Sequence, residues 1–560
     1  LAYLRQVRLL VLGLGFFAAL MAITLRLAAI QIGQHAKYLA YAVQQDAITV
    51  PLEEIPRGFI LDKYFTPLTG RFTEYRVVVI PGLIKNRYAV TRGLARILDV
   101  PVADVARYLN APGCLPFPVT EEQKKKITHA SWAGVTVAPV FLRYGHRPLA
   151  VHVVGHLGRI DNPAELAQLQ ASTHKPYLAG DLVGKAGIER YYEARLKGPA
   201  PRSLAVAYTD AAGKLLPGQR ITVVDVPDRE RQDVVLTLDA SIQRLVEEVI
   251  DAYRIKGAIV VQEVATGDIL AMASRPAYHP NHVAEYLEAS DGAFTNRALT
   301  LYFPGSLFKI VVAAAALEEG FVSEDDRFFC AGHADSLVRC WLADGHGCIT
   351  FGRAFAESCN PVFAQVALRV GADRLIAYAR RLGLENQAIT GFPYPGDERQ
   401  NLDLIKEPYN LVNAAIGHWP VLNTPVQMCT LVATIARDGI YRQPRLVKSL
   451  TEEGTVVGEV LPAPPRRVLS PHTAKRLRDL MTLVTTEGQG RDAHILGWGT
   501  AGKTGTAETA NGKRLAWFAG YAPLRHPRLA ITVLVEDGVS GSRSAAPVFR
   551  ELAERILVLQ

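Results

Sequence analysis

"YFPGSLFKIVVAAAALEEG", residues 302–320, sets a serine and a lysine three apart at the mouth of an apolar helix. Pro304-Gly305 breaks the chain before it, Ile310 to Leu317 are apolar on every face, and Gly320 supplies a C-terminal stop. A helix apolar all round belongs inside a core. Ser306 and Lys309 share one helix face and can touch, with the serine in the first turn where backbone N–H groups lack partners. Burying a lysine is costly, and a desolvated lysine releases its proton more easily and becomes a usable base. The spacing is that of a nucleophile and its base. S-x-x-K by itself recurs by chance, however, and an N-cap serine accounts for Ser306 equally well.

Two further stretches change that balance. "ESCNPVF" (357–363) interrupts two helical patterns at Asn360-Pro361 and presents Ser358 and Asn360 on a short turn. "GKTGT" (502–506) reads as a strand whose glycines let a substrate backbone lie alongside. A C-terminal turn explains Ser358 and Asn360, and a strand-edge charge explains Lys503. Neither explains why S-x-x-K, S-x-N and K-T-G occur in that order on helix, turn and strand, which is the pattern of an acyl-serine enzyme.

The surrounding sequence supplies a scaffold. "VVLTLDASIQRLVEEVI" (234–250) reads as a strand, an Asp239 N-cap and a helix with Ile242, Leu245, Val246, Val249 and Ile250 on one face. "GAIVVQEVATGDILAMAS" (257–274) is a hairpin about Thr266-Gly267. "GTAGKTGTAET" (499–509), an Asn511-Gly512 turn, "LAWFAGYAP" (515–523) and "LAITVLVED" (529–537) give three more strands, and "APVFRELAERILVL" (546–559) an amphipathic helix. The expected fold class is α/β (α+β), multidomain, with an antiparallel sheet completed by the C-terminus and a helical middle that carries Ser306. The charged, Pro-containing stretch "VVDVPDRERQD" (223–233) marks a domain boundary, so that residues 33–225 form a mixed, loop-rich domain and 226–560 the catalytic one.

At 560 residues, 49% hydrophobic and 21% charged, the chain has room for two or three domains. Its net charge of +8 is spread along the length, which argues against nucleic acid as a partner. "LLVLGLGFFAALMAITL" (9–25) holds no charge, and with Arg26 snorkelling the segment 9–32 is long enough to span a bilayer as an uncleaved anchor, behind a short tail of residues 1–8. Orientation is not decided by charge, because Arg26 and Lys37 balance Arg5 and Arg8. Six cysteines fall far short of a disulfide scaffold. Cys330, Cys340 and Cys348, with His333 and His346 between them, lack any C-x2-C pair; the expectation is no metal, with free thiols or a Cys330–Cys340 disulfide instead.

With these residues in view, the chain resembles a class B penicillin-binding protein, a membrane-anchored monofunctional peptidoglycan D,D-transpeptidase. "RGFILD" (57–62) is similar to that family's R-G-x-x-x-D, "GKAGIERYYEARLKG" (184–198) to its G-x-x-G-x-E element, and "NRAL" (296–299) and "TPVQM" (424–428) accompany the catalytic motifs. The resemblance implies a pedestal, or dimerisation-like, domain over 33–225 in which Arg57, Gly58, Asp62, Gly187 and Glu189 are structural, and a transpeptidase domain over 226–560. It implies that Ser306 attacks the penultimate D-alanine of a D-Ala-D-Ala stem peptide, that Lys309 takes its proton, and that Ser358 and Lys503 pass a proton to the leaving amine. Asn360 would hold Lys309 and the substrate amide. The N–H groups of Ser306 and Thr506 would form the oxyanion hole, the Thr504 and Thr506 hydroxyls would bind the terminal carboxylate, and Gly505 would admit the substrate backbone. β-Lactams should acylate Ser306; no cofactor is implied; and the glycan strands imply a SEDS-type membrane glycosyltransferase as partner, with the bulk of the chain outside the cytoplasm. The pattern departs from the family at "IGHWPVLNTP" (416–425), where His418 and Trp419 replace its glutamine and glycine, and at "TEGQG" (486–490), where Gln489 stands for a usual threonine. A D,D-carboxypeptidase and a penicillin-sensing or scaffold protein are the competing functions.

Overall fold

The computed structural model describes residues 2–34, 47–70, 72–209, 215, 220–226, 231–289, 291–393, 400–509 and 511–559. Part of the expected boundary stretch, 227–230, lies outside them. The chain divides into two compact units, one from Leu1–Arg57, Arg71–Arg143 and Gly198–Glu230, the other from Gly58–Gly70, Tyr144–Lys197 and Arg231–Gln560.

In the first unit, a three-stranded antiparallel sheet is ordered Gly113–Pro118, Phe72–Val79, Val135–Leu142. Val77 and Val79 point into a core with Val90, Leu94, Val105 and Ile127, supplied by helices Arg87–Leu98, Val102–Tyr108 and Glu121–Ala130. The "EEQKKK" run starts the last of these behind a capping box, in which Thr120 and Gln123 satisfy each other's backbone N–H. At the N-terminus an α-helix runs Ala2–Ala28 and continues as a π-helical turn over Ala29–Gly33, and the stretch Val11–Gln31 has a mean hydropathy of 2.0. Among the described residues it is the one helix long and apolar enough to cross a bilayer.

The second unit is organised on a five-stranded antiparallel sheet. Its strands are β1 (Gly257–Glu263), β2 (Ile269–Arg275), β3 (Ala501–Glu508), β4 (Arg514–Ala522) and β5 (Leu529–Glu536), in the spatial order β2-β1-β5-β4-β3. Both faces are covered, which is why β1 and β5 read as nearly continuous apolar runs rather than alternating ones. One face, with Ile259, Val261, Ile531 and Val533, packs on the helices Ala240–Ala252 and Ala546–Leu559. On the other lies Pro425–Ala436, buried at every position, whose Cys429 thiol donates to Ala530 O of β5. Strand β3 is an edge, so one row of its backbone groups faces away from the sheet.

Two segments of the expected pedestal belong to this second unit. Ile60–Leu61 pairs in parallel with Asp233–Leu236, and a Cβ on Gly58 would lie 1.9 Å from Gln232 O, so only glycine fits. Asp62 accepts from the amides of Tyr64 at 2.9 Å, Thr66 at 2.7 Å and Ala240 at 3.1 Å, which fastens its loop to the start of the Ala240–Ala252 helix. Asp239 caps that helix as expected, accepting from Ser241 N and Ile242 N. Gly187 has φ of +58°, and Glu189 is fully buried and accepts from the Tyr144 hydroxyl at 3.1 Å. Arg57, in the first unit, is also fully buried. Asp62→Ala strands three amide donors at a buried carboxylate and should destabilise the chain by about 2–3 kcal/mol, a lowered thermal midpoint being the check.

Candidate active site

The nucleophile stretch does not begin as an α-helix. Gly305–Phe308 is a 3-10 turn, and α-helix follows over Lys309–Glu318, so Ser306 sits in the turn that feeds the helix. Two close backbone approaches define that turn. A Cβ on Gly305, which has φ of +55°, would fall 2.7 Å from Thr506 O of β3, and Gly305 N donates to Gly417 O at 3.0 Å. The NRAL segment holds the approach to it: Arg297 Nε donates to Glu536 Oε1 at 2.9 Å and the Tyr302 hydroxyl to the same oxygen at 2.7 Å. In "TPVQM", Thr424 and Gln427 form a capping box on the buried helix beneath.

Ser358 stands between the helices Phe351–Ala356 and Asn360–Val370, and Asn360 opens the second, with Pro361 in its first turn at a position that needs no N–H. Ser358 has φ of +56°, a left-handed conformation unusual for a side-chain-bearing residue and typical of places where function over-determines the backbone. Lys309, with no exposed surface, donates to Ser358 O at 2.7 Å, Asn360 Oδ1 at 2.6 Å and Ser358 Oγ at 3.3 Å. Lys503, also without exposed surface, donates to Ser358 Oγ at 2.9 Å and Thr504 O at 3.2 Å. One hydroxyl thus bridges two buried amines.

Burial pulls Lys309 down to about 7, against a smaller upward pull from the thiols of Cys359 and Cys340. Lys503 falls well below the ordinary lysine range, through burial and then through the charge of Lys309. Two ammonium groups cannot share this site, so a proton on one is available to the other through Ser358 Oγ.

The expected Ser306–Lys309 pair is corrected in one respect. Among the described residues the lysine's hydrogen bonds go to Ser358 and Asn360, because those three acceptors use all three ammonium donors. Catalytic hydrogen bonds commonly tighten only once substrate is bound. The missing Cβ of Gly505 faces Pro304 O at 2.7 Å and Leu307, so this glycine lets β3 lie against the turn that carries Ser306.

Ser306, Ser358, Asn360, Thr504 and Thr506 line one cleft of about 740 Å³. Thr506 further accepts from Gly541 N at 3.1 Å, through its hydroxyl. The motifs missed several lining groups. His418 stacks on Phe303 with centroids 5.9 Å apart, and burial and the Lys309 charge keep its imidazole neutral. Gln489 donates to Glu357 Oε2 at 2.9 Å, beside Ser358. Glu508 and Arg514 face each other across β3 and β4, and Ser540, Ser542 and Arg543 close the far end. The departures at His418 and Gln489 were the signal for the first two; nothing in the spacing of "VSGSRS" (539–544) marked the last.

Of the two alternatives for the cysteines the structure shows free thiols, but it places them in a way the spacing did not suggest. All six are free thiols, so Cys330 and Cys340 form no disulfide. The irregular spacing that spoke against a shared ligand set does not survive folding, because Cys330, Cys340, His346 and Cys359 bring their ligand atoms within 4.8 Å of one another. Hydrogen bonding from Cys359 pulls Cys340 toward the thiolate. Cys348 is exposed and outside the set, and His333 lines the cleft instead.

Comparison with known proteins agrees with this geometry. Residues 257–554 match the penicillin binding protein transpeptidase domain and residues 53–224 the penicillin-binding protein dimerisation domain. Stage V sporulation protein D of Bacillus subtilis is 30% identical over 93% of this chain and 81% of its own length. The peptidoglycan D,D-transpeptidase MrdA of Salmonella typhimurium is 26% identical over 94% and 92%. Among solved structures, a chain described under "Structural coordination of polymerization and crosslinking by a peptidoglycan synthase complex" aligns with a TM-score of 0.69 at 28% identity, covering 97% of each chain. A D,D-transpeptidase domain from Eggerthella lenta aligns with a TM-score of 0.60 at 30% identity, covering 76% of this chain and 94% of that one.

Proposed function

Because this chain belongs to the penicillin-binding protein transpeptidases, and cross-links peptidoglycan as a D,D-transpeptidase, we propose that Ser306 is its acylated nucleophile. The observation that carries the proposal is the convergence of Lys309 and Lys503 on Ser358 Oγ, in the cleft that also holds Ser306. Neutral Lys309 takes the Ser306 proton as Oγ attacks the carbonyl of the penultimate D-alanine. The proton passes through Ser358, with Lys503 beside it, to the departing D-alanine amine. Asn360 holds Lys309 in place. The amides of Ser306 and Thr506 stabilise the tetrahedral oxyanion, and the Thr504 and Thr506 hydroxyls bind the terminal carboxylate. The edge strand β3 pairs with the extended stem peptide. A second stem peptide's amine then displaces Ser306, and a β-lactam traps the same serine.

Residues 33–225 are the pedestal, with Arg57, Gly58, Asp62, Gly187 and Glu189 structural, and 226–560 the transpeptidase domain; the two family matches support this division. Segment 9–32 anchors the chain in the cytoplasmic membrane by a single pass, with residues 1–8 inside and the remainder outside, a reading supported by the apolar stretch Val11–Gln31. A SEDS-type glycosyltransferase is the partner; the similarity to a chain from a peptidoglycan synthase complex supports it.

The test is mass spectrometry of the full chain after exposure to a β-lactam, with a D-Ala-D-Ala thioester and a D-amino acid acceptor in parallel. An adduct on the Ser306 peptide with acceptor-dependent aminolysis is the expected result. Hydrolysis indifferent to the acceptor would make it a carboxypeptidase, and no adduct would overturn the acyl-serine reading.

A further inference from the structure

Cys359 sits between the two residues of the S-x-N motif and belongs to the four-residue cluster described above. We propose that Cys330, Cys340, His346 and Cys359 bind one zinc(II) ion that clamps the Ser358–Asn360 turn, and that thiol oxidants open this clamp.

The geometry is that of a coordination tetrahedron. With Zn–S of about 2.3 Å and Zn–N of about 2.0–2.1 Å, the S···N edges of a tetrahedral site come to about 3.6 Å. Cys330 Sγ and Cys340 Sγ each lie 3.5 Å from His346 Nδ1. Three sulfurs and one imidazole nitrogen are a soft, four-member donor set that suits zinc and leaves no open position for substrate. All three thiols are buried, and an odd number of them cannot be satisfied by disulfide pairing.

The loop that carries the first three ligands is built to hold this shape. Strands Arg327–Cys330 and Gly347–Thr350 pair, and the chain between them folds back so tightly that a Cβ on Gly332 would lie 2.1 Å from Ala343 O and one on Gly345 2.3 Å from Cys330 O. Both glycines have positive φ. The loop grips the catalytic turn from either end: Trp341 Nε1 donates to Glu357 O at 2.9 Å, and Asn360 Nδ2 to Arg339 O at 3.2 Å. Cys359, through the ion, is the third point. A left-handed Ser358 between these anchors is the strained element that the ion would hold in register with Lys309 and Lys503.

Zinc itself has no redox chemistry, but its thiolates do. A thiolate attacks the O–O bond of hydrogen peroxide to give a sulfenic acid and hydroxide, and a neighbouring thiolate displaces a second hydroxide to form the S–S bond. Two thiolates lose two electrons, the peroxide is reduced to two hydroxides, and zinc is left with too few ligands to stay. When the bond joins Cys330 to Cys340, Cys359 is left unattached and the Ser358–Asn360 turn loses its third anchor.

The inference about the clamp rests on Ser306 being the acylated residue, while zinc binding does not. The full-length chain in detergent should therefore be assayed for metal content and, after cobalt(II) exchange, for the visible absorption of a tetrahedral cobalt–thiolate site. About one zinc per chain is expected in the wild type and in Cys348→Ser, and none in Cys330→Ser or His346→Gln. Removing zinc with a chelator should slow acylation by a fluorescent penicillin about 10–100-fold, with recovery on zinc addition. Peroxide should release zinc, form a Cys330–Cys340 disulfide, and slow acylation equally, with reversal by a thiol reductant plus zinc; a disulfide that includes Cys359 would overturn the opening of the clamp. Absence of both stoichiometric zinc and the cobalt spectrum would overturn the site. Unchanged acylation in zinc-free protein that still melts cooperatively would overturn the clamp, and so would global unfolding of the zinc-free chain, which would nonetheless support the site. Zinc-loaded wild type that is never acylated would count against the acyl-serine reading and leave zinc binding standing.

Discussion

Lys309→Met is expected to slow acylation of Ser306 by a β-lactam about 10²–10⁴-fold, the range for loss of a positioned general base, and to flatten the dependence of stability on pH. The side chain is wholly buried, and methionine fills nearly the same volume without a charge to desolvate, at the cost of the donors to Ser358 O, Ser358 Oγ and Asn360 Oδ1. In the unfolded chain this lysine keeps its ordinary value of 10.5, whereas burial lowers it to about 7 in the folded state. Between those values the unfolded chain holds a proton that the folded chain has given up. Stability therefore rises with pH across that window and is lowest below about 7, each pKa unit being worth about 1.4 kcal/mol. Methionine removes that dependence. Activity has the same origin: below about 7 Lys309 is an ammonium and cannot take the Ser306 proton, so wild-type acylation should climb through neutrality and level off above it. Stopped-flow acylation across pH 5–9 and thermal melts of both proteins are the measurements. A flat wild-type profile, or the same slope of melting temperature against pH in both proteins, would contradict the argument.

The parts of this site that could be read from the sequence are those whose chemistry is local. Ser306 with Lys309, Ser358 with Asn360, and Lys503 with Thr504 each form a short run whose side chains act within a few residues of one another in the chain, so spacing reveals them. The sheet was legible for a similar reason: the hairpin about Thr266-Gly267 and the three C-terminal strands announce themselves by apolar runs between turns. What spacing could not reveal is where distant backbones touch. Gly505 lies against Pro304, which only the folded backbone brings beside it. Lys309 looked like a partner for Ser306, yet its donors are used by residues some fifty positions away. The clustering of the cysteines was hidden for the same reason, because ligand spacing rules describe knuckles within one short loop, and Cys359 arrives from a different helix boundary.

Gly305→Ala should disable the site from a residue that carries no chemistry. With φ of +55°, an added Cβ costs about 1–2 kcal/mol in backbone strain alone. It would also lie 2.7 Å from Thr506 O, 2.9 Å from Thr506 C and 3.1 Å from Thr506 N, all backbone atoms that cannot swing aside as a side chain would. Either the nucleophile turn or strand β3 must move, and each carries one of the two oxyanion donors. The hydrogen bond from Gly305 N to Gly417 O restrains the turn from the other side, where a Cβ on Gly417 would fall 1.9 Å from Gly305 O. A displacement of about 1 Å in such a constellation costs on the order of 10²-fold in rate. Gly320→Ala is the matched control: its φ is +70°, but nothing lies within 4 Å of the added atom, so it should carry only the strain. We expect Gly320→Ala to lose about 1 kcal/mol and acylate at the wild-type rate, while Gly305→Ala loses more stability and about a hundredfold in acylation. Equal acylation by the two variants would mean that the contact between Gly305 and Thr506 is not what aligns the nucleophile with its oxyanion donors.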